Sequence, residues 1–226
     1  AFALKPRDLW VDGYPRNDAL VRDEAGDRAA TRALLGIGEH ERVVLYAPTW
    51  RDDRTEMVEF AGARELAGEL GEDVVVLVRG HSRTLLPGRD AEGTRVIDVT
   101  GFPDTTRLLL AADSLVTDYS SVMFDFSATG KPMYFLVPDI EHYRGELRGF
   151  YFDLESHAPG PVVRTREALV EALRDEAGVR ERFAARYAAW RAKFNARDDG
   201  RAAARVVERL FAAGYLDRAS AGSRAT

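Results

Sequence analysis

The chain has 226 residues, of which 46% are hydrophobic and 31% charged, and its formal net charge is −5. This composition is typical of a globular domain, and the acidic balance argues against broad electrostatic attraction to nucleic acid. No cysteine is present, which excludes a disulfide framework, a thiolate metal site and a cysteine nucleophile. The sequence opens without Met and without the apolar core of a signal peptide, so we expect it to belong to a longer protein.

Short apolar runs alternate with helical patterns along most of the chain. The predicted strands cover residues 43–46, 74–78, 96–99, 114–116, 133–137 and 161–163. The predicted helices cover residues 22–35, 61–70, 104–111, a segment that ends at 129, and then 166–176, 179–194 and 200–213. This alternation predicts an α/β fold, a Rossmann-like open and mostly parallel sheet with helices on both faces.

Polar residues follow three of the predicted strands. Thr49 and Arg51 come after the first strand, His81 after the second, and Asp118 to Ser121 after the fourth. Open parallel sheets bind ligands beyond the carboxyl ends of their strands. We therefore expect the functional site at this edge of the sheet.

The segment after the fourth strand is the most informative of these. Thr117, Asp118 and Tyr119 lead from the strand to Ser120 and Ser121, where a helical pattern begins. The first amides of a helix lack partners within the helix, and its dipole favours negative charge there. With two added hydroxyl donors, the turn predicts a phosphate or diphosphate site. Helix capping explains the same residue types equally well from this segment alone.

Six short motifs occur in order along the chain. They are Gly13-Tyr-Pro-Arg-Asn-Asp18, Tyr46-Ala-Pro-Thr-Trp-Arg-Asp52, Arg79-Gly-His81, Val116-Thr-Asp-Tyr-Ser-Ser-Val-Met-Phe-Asp125, Arg148-Gly-Phe-Tyr151 and Asp198-Asp-Gly-Arg-Ala-Ala-Ala-Arg-Val206. Together they resemble the CDP-glycerol glycerophosphotransferase family of teichoic-acid and capsule polymer synthesis. The resemblance extends over approximately residues 11–212. One difference is Ser82, because the family often has Pro after the motif histidine.

The resemblance implies a GT-B architecture, in which two Rossmann-like domains enclose the active site. This chain resembles the C-terminal, donor-binding half. We assign an interdomain linker to residues 1–20, the donor-nucleotide-binding domain to 21–196, a closing helix to 197–216 and a disordered tail to 217–226. The missing N-terminal half supplies, by the resemblance, much of the acceptor site and a catalytic histidine.

The resemblance also implies the reaction. Glycerol phosphate passes from CDP-glycerol, or ribitol phosphate from CDP-ribitol, to a hydroxyl of a polyol-phosphate polymer, and CMP leaves. His81 is the expected catalytic residue, as a hydrogen-bond or proton donor to the diphosphate. The expected ligands of the diphosphate and CDP are Ser120, Ser121, Asp118, Thr117, Thr49, Arg51 and Arg148.

Several of these residues also have a structural interpretation. Arg51 could equally pair with Asp52 or Asp53, and Asp118 is expected to order its loop rather than to bind an anion directly. No cofactor motif and no metal-ligand spacing is recognisable, although a divalent cation is not excluded. We expect the chain alone to be inactive, since the general base belongs to the missing half.

Two other functions stay open at this stage. The chain could be a UDP-sugar-dependent GT-B glycosyltransferase or epimerase domain, although no ribose-binding Glu stands out. It could also be a noncatalytic nucleotide-binding or membrane-docking module, because residues 166–194 are rich in Arg and aromatic residues. For the full protein we expect a cytoplasmic location with peripheral contact to the inner face of the plasma membrane, and no nucleic-acid partner.

Overall fold

The computed structural model describes residues 5, 9–22, 25–51, 53, 60–80, 95–147 and 149–212. Its strands are β1 (Arg42–Ala47), β2 (Val74–Val78), β3 (Val96–Asp98), β4 (Ser114–Thr117), β5 (Met133–Leu136) and β6 (Val162–Val163). They form one sheet in the order β3-β2-β1-β4-β5-β6, and every pairing is parallel. The predicted open parallel α/β sheet is confirmed. Its strand order reverses between β1 and β4, where such sheets open a crevice at the carboxyl ends.

Ten α-helices occur within the described residues. They are α1 (Asp18–Arg22), α2 (Ala25–Leu34), α3 (Ala63–Leu70), α4 (Thr105–Ala111), α5 (Val122–Phe126), α6 (Ile140–Gly145), α7 (Leu154–His157), α8 (Arg166–Arg174), α9 (Glu176–Phe194) and α10 (Ala202–Ala212). Short 3₁₀ turns cover Pro15–Asn17 and Ser127–Thr129. In the part of the chain that the structure describes, no helix combines the length and apolar character needed to cross a membrane.

The core lies on both faces of the sheet, because side chains alternate along each strand. Leu45, Leu77 and Leu115 pack on one face with helices α4 and α5. Their neighbours in the strands face the opposite side, where α3 and α8 cover them. The inner strands β2 and β5 are accordingly continuous apolar runs in which every residue is buried, as expected for a parallel sheet covered on both faces.

The two ends of the described chain are joined by a group of residues that we call the terminal clasp (Tyr14, Asn17, Asp18, Asn195 and Asp198), of which all but Tyr14 are buried. The Asp18 carboxylate accepts hydrogen bonds from the Ala202 and Ala203 amides, both at 2.8 Å, and so caps α10. Asp198 accepts from the Tyr14 amide at 3.1 Å and from the Asn17 side chain at 3.1 Å. The clasp thus connects residues more than 180 positions apart in sequence.

The clasp also contacts Ser127, the residue that follows α5. The Asn195 side chain donates to Asp198 at 3.0 Å, and its oxygen accepts from the Ser127 hydroxyl at 2.7 Å. Gly13 fits this junction because its φ is +88° and a Cβ there would lie 2.4 Å from the Arg197 carbonyl oxygen. The first and last sequence motifs therefore have a structural role here. The assignment of residues 1–20 as a linker and of 197–216 as a closing helix stays a prediction, and residues 213–226 lie outside the described part.

Replacing the capping carboxylate should loosen this junction. We expect Asp18→Ala to lower the free energy of unfolding by about 1–2 kcal/mol. The first two amides of α10 lose the carboxylate that accepts their hydrogen bonds. Urea unfolding followed by circular dichroism measures the change. The matched control is Asp73→Ala, an exposed turn residue, for which we expect a change within about 0.5 kcal/mol. Equal effects of the two substitutions would contradict a capping role for Asp18.

Candidate functional site

The candidate site lies where β1 and β4 end side by side. These strands pair in parallel with Ala47 opposite Thr117, so the loops that follow them leave the sheet at the same edge. Thr49 and Arg51 lie on the first loop, and Asp118, Ser120 and Ser121 on the second. The structure therefore brings together five of the residues that the sequence indicated.

Asp118 ties the two loops to each other. Its Oδ1 accepts hydrogen bonds from the Thr49 amide at 2.8 Å and from the Thr49 hydroxyl at 2.6 Å. Thr117 makes a second link, since its buried hydroxyl donates to the Ala47 carbonyl at 2.7 Å. These hydroxyl and carboxylate groups hold the loops in register. They are hydrogen-bonded to protein atoms in this arrangement, and their contact with a ligand stays a prediction.

Arg51 is buried, with 2% of its side chain exposed. Its Nη2 donates to Asp118 Oδ2 at 2.9 Å, its Nε to Asp139 Oδ2 at 2.8 Å, and its Nη1 to the Thr49 carbonyl at 2.7 Å. Burial alone would lower the pKa of Arg51, but the hydrogen bond to Asp139 and the charge of Asp118 outweigh it and raise the pKa. The guanidinium stays charged, with Asp118 and Asp139 as its ion-pair partners.

Asp139, in the loop that follows β5, completes this group. Its Oδ1 accepts from the Tyr119 hydroxyl at 2.9 Å and from Arg51 Nη2 at 3.1 Å. Burial would raise the pKa of Asp139, but the hydrogen bonds from Arg51 and Tyr119 outweigh it and lower the pKa. Burial and the bond to Asp139 raise the pKa of Tyr119, which keeps its hydroxyl neutral and donating.

Sequence reasoning did not select Asp139 as a site residue. A signal was present, because Asp139 follows the predicted strand over residues 133–137 and so lies at the same edge of the sheet as Thr49 and Asp118. Its partner Arg51 is distant in sequence, at a separation of 88 positions. The pairing could therefore not be inferred from local pattern.

Ser120 and Ser121 lie at the turn into α5, with Ser120 partly exposed and Ser121 exposed. The expectation that the first helix amides lack partners is not met. The Val122 amide donates to the Ser120 hydroxyl oxygen at 3.4 Å, and the Met123 and Phe124 amides donate to the Ser120 and Ser121 carbonyls at 3.2 and 3.0 Å. A tight first turn satisfies these amides locally. With these three amides bonded, the two serine hydroxyls are further donors at the turn, and Ser121 makes no side-chain capping bond.

The motif arginine Arg79 anchors the end of β2 at this edge. Its guanidinium donates to the Val99 and Phe102 carbonyls at 3.1 and 3.0 Å and to the Thr105 hydroxyl at 2.9 Å. The Gly80 amide donates to the Thr100 hydroxyl at 2.8 Å. The predicted catalytic residue His81 and the predicted ligand Arg148 lie outside the described residues, so their roles stay predictions.

An additional contact joins the first motif to the helix that follows the serine turn. Arg16 pairs with Asp125 on α5, with Nη2 to Oδ1 at 3.0 Å and Nε to Oδ1 at 3.2 Å. Asp125 and Ser121 are four positions apart, which places them on the same side of a helical turn. Arg16 is 59% exposed, and sequence reasoning did not single it out.

This arrangement defines a class of protein. A parallel sheet with the Rossmann strand order, with polar loops meeting where that order reverses, is the architecture of nucleotide-binding domains. A model of the family described as CDP-Glycerol:Poly(glycerophosphate) glycerophosphotransferase matches residues 1–212. The chain belongs to this family, as its motifs indicated.

Individual relatives agree with this assignment. The chain is 38% identical over 217 residues to a teichoic acid poly(glycerol phosphate) polymerase of Bacillus subtilis (strain 168), covering 92% of the chain and 29% of the relative. It is 35% identical over 219 residues to a teichoic acid glycerol-phosphate transferase of Staphylococcus aureus (strain NCTC 8325 / PS 47), covering 93% of the chain and 56% of the relative. The chain therefore spans about a third to a half of these relatives' lengths.

A solved structure shares the fold over nearly the whole chain. It is that of the wall teichoic acid polymerase TagF, in a variant soaked with CDPG, and it superposes with a TM-score of 0.84 at 32% identity. The match covers 96% of this chain and 55% of that one.

The lowered pKa of Asp139 predicts a loss of stability in acid. A carboxylate whose pKa is lowered by folding contributes stability above its unfolded value, about 4, and that contribution disappears as the pH falls through the folded value. We expect Asp139→Asn to lower the free energy of unfolding by about 2 kcal/mol at pH 7, and by progressively less below pH 4.

Urea unfolding at a series of pH values measures this difference. The control is Glu39→Gln, an exposed residue, for which we expect no pH-dependent difference from the wild type. If the free energies of unfolding of Asp139→Asn and the wild type differed by the same amount from pH 7 down to pH 3, the Asp139 charge would not stabilise the fold.

Proposed function

We propose that this chain is the donor-binding part of a CDP-glycerol glycerophosphotransferase. The reaction moves glycerol phosphate from CDP-glycerol to a hydroxyl of a polyol-phosphate polymer and releases CMP. The observation that carries the proposal is the meeting of the Thr49 loop and the Ser120–Ser121 turn at the point where the strand order reverses. In sheets of this kind the ligand binds in the crevice at that point.

The two serine hydroxyls are the groups that we assign to the donor diphosphate. Phosphoryl transfer depends mainly on positioning and on stabilising charge at the phosphate oxygens. Neutral hydroxyl donors at a fixed turn supply both without a proton transfer. Thr49, Thr117 and Asp118 support this site by fixing the loops around it, as their hydrogen bonds to each other and to β1 indicate.

Positive charge for the diphosphate must come from groups other than Arg51. The guanidinium of Arg51 faces two carboxylates, so the group formed by Arg51, Asp118 and Asp139 has a net charge of −1. We assign the cationic and proton-donating roles to His81, with Arg148 as a further contact to the donor. A protonated imidazole near the diphosphate would balance charge on the leaving CMP.

The remaining partners are inferred from the family. We propose that an N-terminal half of the GT-B type completes the acceptor site and supplies the general base, and that the whole protein acts in the cytoplasm at the inner face of the plasma membrane. Exposed apolar side chains beside the terminal clasp are consistent with a neighbouring domain there: Leu9, Trp10, Val11, Val207 and Phe211.

Calorimetric titration of the chain with four nucleotides tests the donor class. We expect CDP-glycerol to bind weakly, CMP to bind more weakly, and the chain alone to form no polymer. Tighter binding of CDP-ribitol would change the polyol but keep the reaction. Preference for UDP-N-acetylglucosamine would contradict the proposal in favour of a UDP-sugar enzyme, and polymer formation by the chain alone would contradict the need for a second half.

Removing both serine hydroxyls should weaken donor binding. Hydrogen bonds to charged groups contribute about 1.5–3 kcal/mol each, so we expect Ser120→Ala together with Ser121→Ala to raise the Kd for CDP-glycerol at least tenfold. The control is Ser156→Ala, because Ser156 is exposed and lies on α7. We expect this variant to bind CDP-glycerol with the Kd of the wild type. Unchanged affinity in the double variant would place the diphosphate elsewhere.

A further inference from the structure

Asp139 is the residue at which the two loops of the candidate site are joined to a third element. It immediately precedes α6, and its carboxylate accepts two hydrogen bonds from Arg51 and one from the Tyr119 hydroxyl. Arg51 belongs to the loop after β1 and Tyr119 to the turn after β4. We propose that Asp139 is a positioning residue of the donor site, which fixes the distance between the Thr49 loop and the Ser120–Ser121 turn. The inference rests on the proposed function.

On the side of the first loop, the connection passes through Arg51. Its guanidinium donates to the Thr49 carbonyl at 2.7 Å while Asp139 holds it from the opposite direction in a bidentate pair. Bidentate pairing of arginine with a carboxylate fixes direction as well as distance. Thr49 is therefore held at its carbonyl by Arg51 and at its amide by Asp118.

On the side of the second loop, the connection passes through Tyr119, the residue directly before Ser120. Its hydroxyl donates to Asp139 at 2.9 Å, and its ring stacks on Tyr143 of α6 with centroids 4.0 Å apart. The guanidinium of Arg51 lies 4.8 Å from the Tyr119 ring centroid and 5.3 Å from that of Tyr143. The serine turn is thus attached to α6 by one hydrogen bond and one aromatic stack.

Charge argues that Asp139 acts through these neighbours and does not touch the donor. Its side chain is 17% exposed and already accepts three hydrogen bonds from protein groups. A second carboxylate beside a single guanidinium leaves the group negative, which repels a diphosphate at contact distance. The same carboxylate is well suited to hold the guanidinium away from the ligand.

A second tether between the same elements points to the same role for the start of α6. His142 on α6 lies with Nε2 2.9 Å from Asp53 Oδ2, two residues beyond Arg51. The loop after β1 is therefore attached to α6 at two places. Asp139 is the less exposed of the two attachments, at 17% exposed, since the His142 and Asp53 side chains are 36% and 38% exposed.

The test uses the full chain and two readouts, the Kd for CDP-glycerol and the hydrogen-exchange rate of the Thr49 amide. We expect Asp139→Asn to raise the Kd about tenfold and to speed Thr49 exchange, because an amide oxygen cannot replace the bidentate carboxylate. Tyr119→Phe removes only the hydroxyl and is the second variant if the first folds poorly. We expect it to raise the Kd by a smaller factor.

The matched control is Asp175→Asn, another aspartate that precedes a helix and pairs with an arginine, at the start of α9. We expect it to leave both readouts unchanged. A purely structural role for Asp139 would lower stability without changing the Kd of the folded protein, and that result would overturn the inference. If the wild type bound no CDP-glycerol, the proposed function would fail, and the exchange rate alone would decide whether Asp139 holds the loop.

Discussion

The buried guanidinium of Arg51 is the interaction on which the candidate site depends. Removing a charge from water is costly unless it is paired and hydrogen-bonded with good geometry. Arg51 meets this condition through Asp118, Asp139 and the Thr49 carbonyl, which come from the ends of three different strands. Because each partner belongs to a different loop, satisfying one buried charge fixes the relative position of all three loops.

Much of the fold could be predicted from the sequence, because a parallel sheet covered on both faces requires apolar strands. The strand Val74–Val78 was predicted with the bounds that the structure has, and every residue in it is buried. The helix predicted over residues 104–111 is also present, and Asp104 caps it by accepting a hydrogen bond from the Arg107 amide. The short helices α1, α6 and α7 were not predicted, since four to six residues are too few for a helical period to be visible.

The candidate site was predictable in its location but not in its internal pairing. Residues that follow parallel strands must share an edge of the sheet, so Thr49, Asp118 and Ser120 could be grouped from the sequence alone. Sequence pattern could not show that Arg51 pairs with Asp139, because that pairing depends on how far apart β1 and β5 lie in the sheet. For the same reason, only the structure showed that Asp139 accepts a hydrogen bond from Tyr119 and pairs with Arg51.

The motifs that identify the family divide into two physical roles. Those at the ends of the described chain build the terminal clasp, in which Asn17 donates to Asp198 and Asp18 accepts from the first amides of α10. Those in the middle order the loops at the carboxyl edge of the sheet. Among the described residues of these middle motifs, we propose the hydroxyls of Ser120 and Ser121 as donor contacts, together with His81 and Arg148.

A crystal structure of this chain with CDP-glycerol tests the central claim most directly. The account predicts that the diphosphate lies within hydrogen-bonding distance of the Ser120 and Ser121 hydroxyls, in the crevice between the ends of β1 and β4, with Arg51 still paired to Asp118 and Asp139. A diphosphate bound away from that crevice, or an Arg51 that leaves its carboxylates to contact the phosphates, would contradict it.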